Sequence, residues 1–142
     1  MMNERYHFTV KITRDGLLDI INHANALLEP RGFPDRAVYV VNLVLEEILT
    51  NIMKYGFDDR GVHDVEVRLG LDSEEILIEF EDNGREFDPL TSAPPPLDAS
   101  LPDTEPGGRG IHLVRTMASS VKYRRERNKN ILTVAVSGFR LP

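Results

Sequence analysis

Between Phe87 and Gly108 the chain carries Pro89, Pro94, Pro95, Pro96, Pro102 and Pro106. Prolines at that density exclude a helix or a central strand over the whole stretch, because each fixes φ and lacks the backbone N–H that either element needs. A loop of this length inside a compact domain is uncommon, and where it occurs it is a lid or a linker. Any folded core must therefore come from the segments on either side. At 142 residues the chain is long enough for one continuous core and short for two, so both flanks are expected to close into a single domain, residues 1–142, with the proline-rich stretch as its lid.

The flanks read clearly by period. Tyr6, Phe8, Val10 and Ile12 alternate with Arg5, His7, Thr9 and Lys11, the pattern of a half-buried strand. Leu17, Ile20, Ile21, Ala24, Leu27 and Leu28 then recur at helical spacing after a cap at Thr13 or Asp15, and Pro30 with Gly32 ends the run, giving a helix near 15–29. A second helix opens at Asp35, carries the stripe Val38, Val41, Leu45, Ile48 and Ile52, and ends near Tyr55 and Gly56. Val65, Val67, Leu69 and Leu71, then Ile76, Ile78 and Phe80, form a hairpin pattern around Asp72 and Ser73. Beyond the proline-rich loop the sequence predicts a helix over about 110–119 and strands near 121–126 and 131–138, joined by a turn at 127–130. Helices set between antiparallel strand pairs point to an α+β two-layer sandwich, a mixed and mostly antiparallel sheet covered on one face by about three helices.

Composition removes several functions. There is no cysteine, which excludes disulfides, thiolate zinc sites and cysteine nucleophiles. His7, His23, His63 and His112 show no ligand spacing, so no structural metal is expected. A net charge of -6 argues against binding a nucleic-acid backbone directly. No apolar run approaches bilayer length and the first residues, MMNERYHFTV, lack signal-peptide order, so no membrane association and a cytoplasmic location are expected.

Three local patterns could carry chemistry. On the second helix Glu47, Asn51, Lys54 and Tyr55 stand at i, i+4, i+7 and i+8, on a face apart from the apolar stripe. That set could orient a hydroxyl, hold a hard cation through oxygen and touch a phosphate; taken alone it is equally a solvated helix face. Asp82-Asn83-Gly84 leaves a strand end, where a fixed carboxylate could accept from an exocyclic amine and Gly84 lets a flat base approach; alone it is a turn. Gly107-Gly108-Arg109-Gly110 leads into Ile111-His112-Leu113-Val114, and glycines ahead of a helix free its first N–H groups for an anion. Alone that is a hinge, and it lacks the spacing and Lys-Ser/Thr ending of a P-loop.

In this order the three patterns resemble those of the GHKL ATPase superfamily, with its Bergerat ATP-binding fold, and within it the anti-sigma-factor serine/threonine kinases of the RsbW and SpoIIAB type. The resemblance covers nearly the whole chain. Glu47-Ile48-Leu49-Thr50-Asn51 matches the family's Glu-x-x-Thr-Asn box. By that match Asn51 would be the Mg²⁺ ligand and Glu47 the general base toward a serine or threonine hydroxyl, with Glu46 about a third of a helical turn away. Lys54 and Tyr55 fit positions near the phosphates. Asp82-Asn83-Gly84 matches the Asp-x-Gly box, with Asp82 reading the adenine amine, while Glu86 stands where the family often has glycine or proline. Gly108, Arg109, Gly110, Ile111 and His112 would cradle the phosphates, residues 89–107 would form the ATP lid, and Thr133 would support the adenine end.

The resemblance implies an Mg-ATP-dependent protein kinase that phosphorylates a STAS-domain anti-anti-sigma protein, sequesters a sigma factor and forms a homodimer. The alternative is a nucleotide-gated protein-binding module with little or no kinase activity. A histidine-kinase catalytic domain would share the pocket but needs a dimerisation helix pair with a phosphoacceptor histidine, and gyrase- or MutL-like ATPases need transducer domains. The chain shows neither pattern.

Overall fold

The structure is a computed structural model that describes residues 3–59, 61–91 and 106–142, with side chains on the last segment described from Gly110 onward. Its elements run β1 (Asn3–Lys11), α1 (Arg14–Leu28), α2 (Asp35–Tyr55), β2 (Asp64–Asp72), β3 (Ile76–Asp82), α3 (Pro106–Met117), β4 (Ser120–Glu126) and β5 (Lys129–Val136). The five strands form one sheet in the order β1-β2-β3-β5-β4. All four pairings are antiparallel, so the expected mixed sheet resolves as an antiparallel one.

Alternation decides which face of the sheet is covered. Val65, Val67, Leu69 and Leu71 of β2, Ile76, Ile78 and Phe80 of β3, and Leu132, Val134 and Val136 of β5 are buried in one cluster with Ile20, Ala24 and Leu28 of α1 and Val41, Val44, Leu45 and Ile48 of α2. Each of the larger of these side chains removed from water stabilises the fold by about 1.5–3 kcal/mol before entropy is counted. The opposite face carries a polar network instead, with Arg68 Nη1 to Glu79 Oε1 at 2.8 Å and Lys129 Nζ to Glu81 Oε2 at 3.2 Å. Such half-exposed pairs contribute little stability.

Local signals set the boundaries. Thr13 caps α1, its hydroxyl accepting from Gly16 N at 3.0 Å. The β4–β5 turn is tighter than the expected four residues. Arg127 and Asn128 both have positive φ, 51° and 63°, as a two-residue hairpin turn matching the strand twist requires, so Lys129 and Asn130 are already paired in β5. Helix α3 also begins earlier than Gly110, at Pro106. Proline is compatible with a first helical turn because its missing N–H would have no intrahelical partner there. The expected lid, residues 89–107, lies outside the described residues except at 89–91 and at the first two positions of α3.

Candidate functional site

At the end of the sheet where β3 stops, a cleft opens between the strands and the facing ends of α2 and α3. Its lining includes Ile48, Asn51 and Ile52 from α2, Phe80 and Asp82 from β3, Ile111 from α3, Leu132 from β5, and Phe87 and Pro89 from the segment after β3. About 440 Å³ of empty volume lies within it, counting its open mouth. The walls are largely apolar, and Asp82 is the acidic group among the lining residues.

Asp82 is there because of strand period. It continues Ile76, Ile78 and Phe80 on the helix-covered face, so a carboxylate falls where the core would continue, 6% exposed. Burial pushes its carboxyl above the ordinary aspartate value, against the opposing effects of Asn130, of Gly84 N–H and of the Arg125 guanidinium. Both hydrogen bonds it receives arrive at Oδ1, from Gly84 N at 2.9 Å and Asn130 Nδ2 at 3.0 Å. Among the described residues neither bond falls on Oδ2, which keeps its acceptor capacity. The Gly84 turn is pressed against the end of α2: Arg85 N donates to Gly56 O at 2.8 Å, and a Cβ on Gly84 would collide with that same carbonyl.

The expected support from Thr133 is corrected by the register. Thr133 pairs with Glu79 and Lys122 on the far side of the sheet, where it lines a shallow depression with Arg5, Arg68 and Glu79. A one-residue step along a strand reverses the side-chain direction. The residue across from Asp82 is Asn130, which sequence reasoning assigned to a turn. The signal that would have found it is the two-residue turn, since closing the hairpin at Arg127 and Asn128 puts Asn130 in the strand.

On α2, Asn51 is buried at 5% exposure and lines the cleft, and its Nδ2 donates to Glu47 O at 2.7 Å, which orients the amide. Glu47 lies one turn earlier, half-buried. Burial, helped by the neighbouring Glu46 carboxylate, pushes its carboxyl above the ordinary glutamate value, and Lys54 opposes the shift. Lys54 itself is exposed, and Tyr55 reaches the site indirectly, its ring stacked on Phe87 with centroids 6.3 Å apart.

Helix α3 meets this face of α2 at Gly110. A Cβ there would overlap the Glu47 side chain from Oε2 back to Cγ, so glycine is what allows the two helices to close around that carboxylate. Ile111 enters the cleft, whereas His112 is exposed. Because α3 starts at Pro106, its free first-turn N–H groups belong to Gly107, Gly108 and Arg109. The Arg109 side chain lies outside the described residues. The structure thus gathers Asn51, Asp82 and Ile111 around one cleft, holds Gly84 against Asp82 behind it, sets Glu47 and Gly110 in contact, and leaves Lys54, His112 and Thr133 off its walls.

Chemically, the cleft offers apolar side chains to a flat ring and a buried carboxylate, Asp82, to its edge. An adenine base, with an exocyclic amine, fits that donor–acceptor set. Asn51 and Glu47 supply oxygen atoms beyond the base, of the kind that a hard divalent cation takes. Among the described residues no group of three or more His, Cys, Asp or Glu could hold a metal ion. Among them, too, no helix is long and apolar enough to cross a membrane.

Comparisons with known proteins point to one family. The family model described as "Histidine kinase-like ATPase domain" matches residues 15–136. The chain is 31% identical over 99 residues to the serine/threonine-protein kinase BtrW of Bordetella bronchiseptica, covering 70% of each protein. It is 28% identical over 90 residues to an anti-sigma F factor of Clostridium kluyveri, covering 63% of this chain and 62% of that one. Among solved structures, the RsbU and RsbW domains of a Mycobacterium tuberculosis protein superpose with a TM-score of 0.66 at 12% identity, over 98% of this chain and 33% of that one. The histidine kinase domain of a blue-light-activated kinase from Erythrobacter litoralis gives 0.55 at 19% identity, over 87% and 59%. These last two carry the fold. On the family match, with a fold and cleft that agree with it, this chain belongs to the histidine kinase-like ATPase domain family, and ATP is the ligand that membership implies.

Proposed function

We propose that the protein is an Mg-ATP-dependent serine/threonine protein kinase of the anti-sigma-factor kind, acting in the cytoplasm on a STAS-domain anti-anti-sigma protein and sequestering a sigma factor when that partner is absent. The observation that carries the reading is that Asn51, one turn after Glu47 on α2, lines the same cleft as the buried Asp82. Relatives named as a serine/threonine kinase and as an anti-sigma factor support the same kind of activity.

In this reading Asp82 Oδ2 accepts a hydrogen bond from the adenine amine and Ile48, Ile52 and Ile111 pack the base. The free N–H groups at the start of α3 face the phosphates. Asn51, with the phosphates, would hold Mg²⁺, whose charge would offset the charge building up during transfer. Glu47 takes the proton of the substrate serine or threonine as its oxygen bonds to the γ-phosphorus and the bond to the ADP oxygen breaks. Burial raises its proton affinity above that of an ordinary glutamate, the direction that makes a carboxylate a stronger base. Homodimer formation is part of the same proposal, resting on the family resemblance.

The test is phosphoryl transfer from labelled ATP to the STAS-domain proteins encoded in the same genome. Transfer by the wild type, lost in Glu47→Gln while nucleotide binding is kept, supports the kinase. Nucleotide binding with no transfer to any such protein, and equal binding of partners by Glu47→Gln and wild type, would leave a nucleotide-gated binding module instead.

A further inference from the structure

Asn130 is a buried polar side chain, 7% exposed, near the start of β5. Its amide makes five hydrogen bonds. Nδ2 donates to Asp82 Oδ1 at 3.0 Å and to Arg85 O at 2.8 Å. Oδ1 accepts from Tyr123 Oη at 2.5 Å, Arg125 Nη1 at 3.1 Å and Phe87 N at 3.4 Å.

The chemistry of those partners permits one orientation. A guanidinium and a backbone N–H can only donate, and a carbonyl oxygen can only accept. Turning the amide over would set Nδ2 against Arg125 and Phe87 N–H, and Oδ1 against Arg85 O and the Asp82 carboxylate. Asn130 is therefore locked, and through it so is Asp82. With Gly84 N and Asn130 Nδ2 both on one carboxylate oxygen, the plane of the group is fixed, and its other oxygen keeps its acceptor capacity in the residue that lines the cleft.

The same amide grips the backbone on either side of Glu86. Arg125 Nη1 reaches Gly84 O at 2.9 Å as well as Asn130, so the 84–87 segment is tied to the β4–β5 hairpin at three points. Phe87 and Pro89, which line the cleft, leave directly from it.

We propose that Asn130 is a positioning residue for nucleotide selection: by fixing which Asp82 oxygen is offered and where the 84–87 segment lies, it makes the cleft demand a donor at the edge of the base. The proposal rests on the ATP reading above. A residue that only satisfied buried polar groups would affect all nucleotides alike. A selector affects those that present a donor where adenine has its amine.

The experiment compares ATP with inosine triphosphate, which carries a carbonyl oxygen in place of that amine. Affinities of the full chain for each are measured by calorimetry with Mg²⁺ for the wild type, Asn130→Ala and Asn130→Asp, with thermal unfolding as the check on folding. Asn130→Asp keeps the shape and still accepts from Tyr123 and Arg125, but at neutral pH it has no donor for Asp82 or Arg85 O. The wild type is expected to prefer ATP by about tenfold or more, the weight of one hydrogen bond to a charged group. In either folded variant that ratio is expected to drop toward one, with ATP affinity falling far more than inosine triphosphate affinity. An unchanged ratio, or equal losses for both nucleotides, would overturn the proposal. A wild type that binds neither nucleotide is a different result, and it removes the ATP reading itself.

Discussion

Gly110 of α3 lies directly against the carboxylate of Glu47 on α2, with no room for a Cβ between them. The contact joins the residue proposed as base to the helix whose first turn is proposed to face the phosphates. A methyl group at Gly110 cannot be accommodated by moving only the tip of Glu47, since Cδ and Cγ are also in its way. Gly110→Ala is expected to displace the carboxylate and lower phosphoryl transfer by about 100-fold, the effect of a misplacement of roughly 1 Å. Single-turnover transfer at saturating ATP measures it. Transfer at the wild-type rate would show that Glu47 does not act from this position.

The titration of Glu47 gives a second expectation. Burial and Glu46 raise its pKa and Lys54 lowers it, so transfer should rise with pH through a midpoint above the ordinary glutamate value of 4.5. Glu46→Gln removes a raising influence and should move that midpoint down. Lys54→Met removes a lowering one and should move it up. A pH–rate profile of each variant decides, and shifts in the reverse directions would contradict the assignment of the base.

Asp82 is predicted to oppose stability while serving binding. Its folded pKa is raised by burial. Its favourable contribution is therefore present in full below the unfolded value near 3.8 and is lost as pH rises through the higher folded value. At pH 7 the buried charge is a net cost in the nucleotide-free protein. Asp82→Asn keeps an oxygen for Gly84 N and Asn130 Nδ2, so at pH 7 its thermal midpoint should equal or exceed the wild type's, and the advantage should shrink on acidification. Its ATP affinity should fall, because an NH₂ group then faces the adenine amine. A variant less stable than wild type at pH 7 would contradict this.

Gly84→Ala probes the turn. The added Cβ would collide with the Gly56 carbonyl, which the Arg85 N–H already occupies at 2.8 Å. A loss of about 1–3 kcal/mol in stability is expected from overpacking of this kind, together with weaker nucleotide binding as the cleft edge shifts. Chemical denaturation and calorimetry report the two effects separately. An unaffected denaturation midpoint would mean that the turn relaxes freely.

Local periodicity made most of the fold legible. The stripe Val38, Val41, Leu45, Ile48 and Ile52 and the alternation Val65 to Leu71 depend only on neighbours in sequence; both stand in the core, with Val38 and Ile52 partly buried at the stripe's ends, and of the two cap candidates Thr13 is the one used. The start of α3 was obscured because Pro106 and the glycines after it read as breakers, although proline suits a first turn. Asn130 and Thr133 differ for a tertiary reason. Which of them faces Asp82 is set by the register in which β5 pairs with β3, Asp82 with Asn130 and Glu79 with Thr133, and that pairing joins strands far apart in sequence. The contact of Gly110 with Glu47 joins two helices and has no local signature at all.

The central claim is that Asp82 closes an ATP-specific cleft. Calorimetric titration of Mg-ATP into the full chain, wild type and Asp82→Ala side by side, tests it most directly. Saturable binding by the wild type and its loss in a still-folded Asp82→Ala is the predicted result. No binding by the wild type, or binding that Asp82→Ala leaves unchanged, would contradict it.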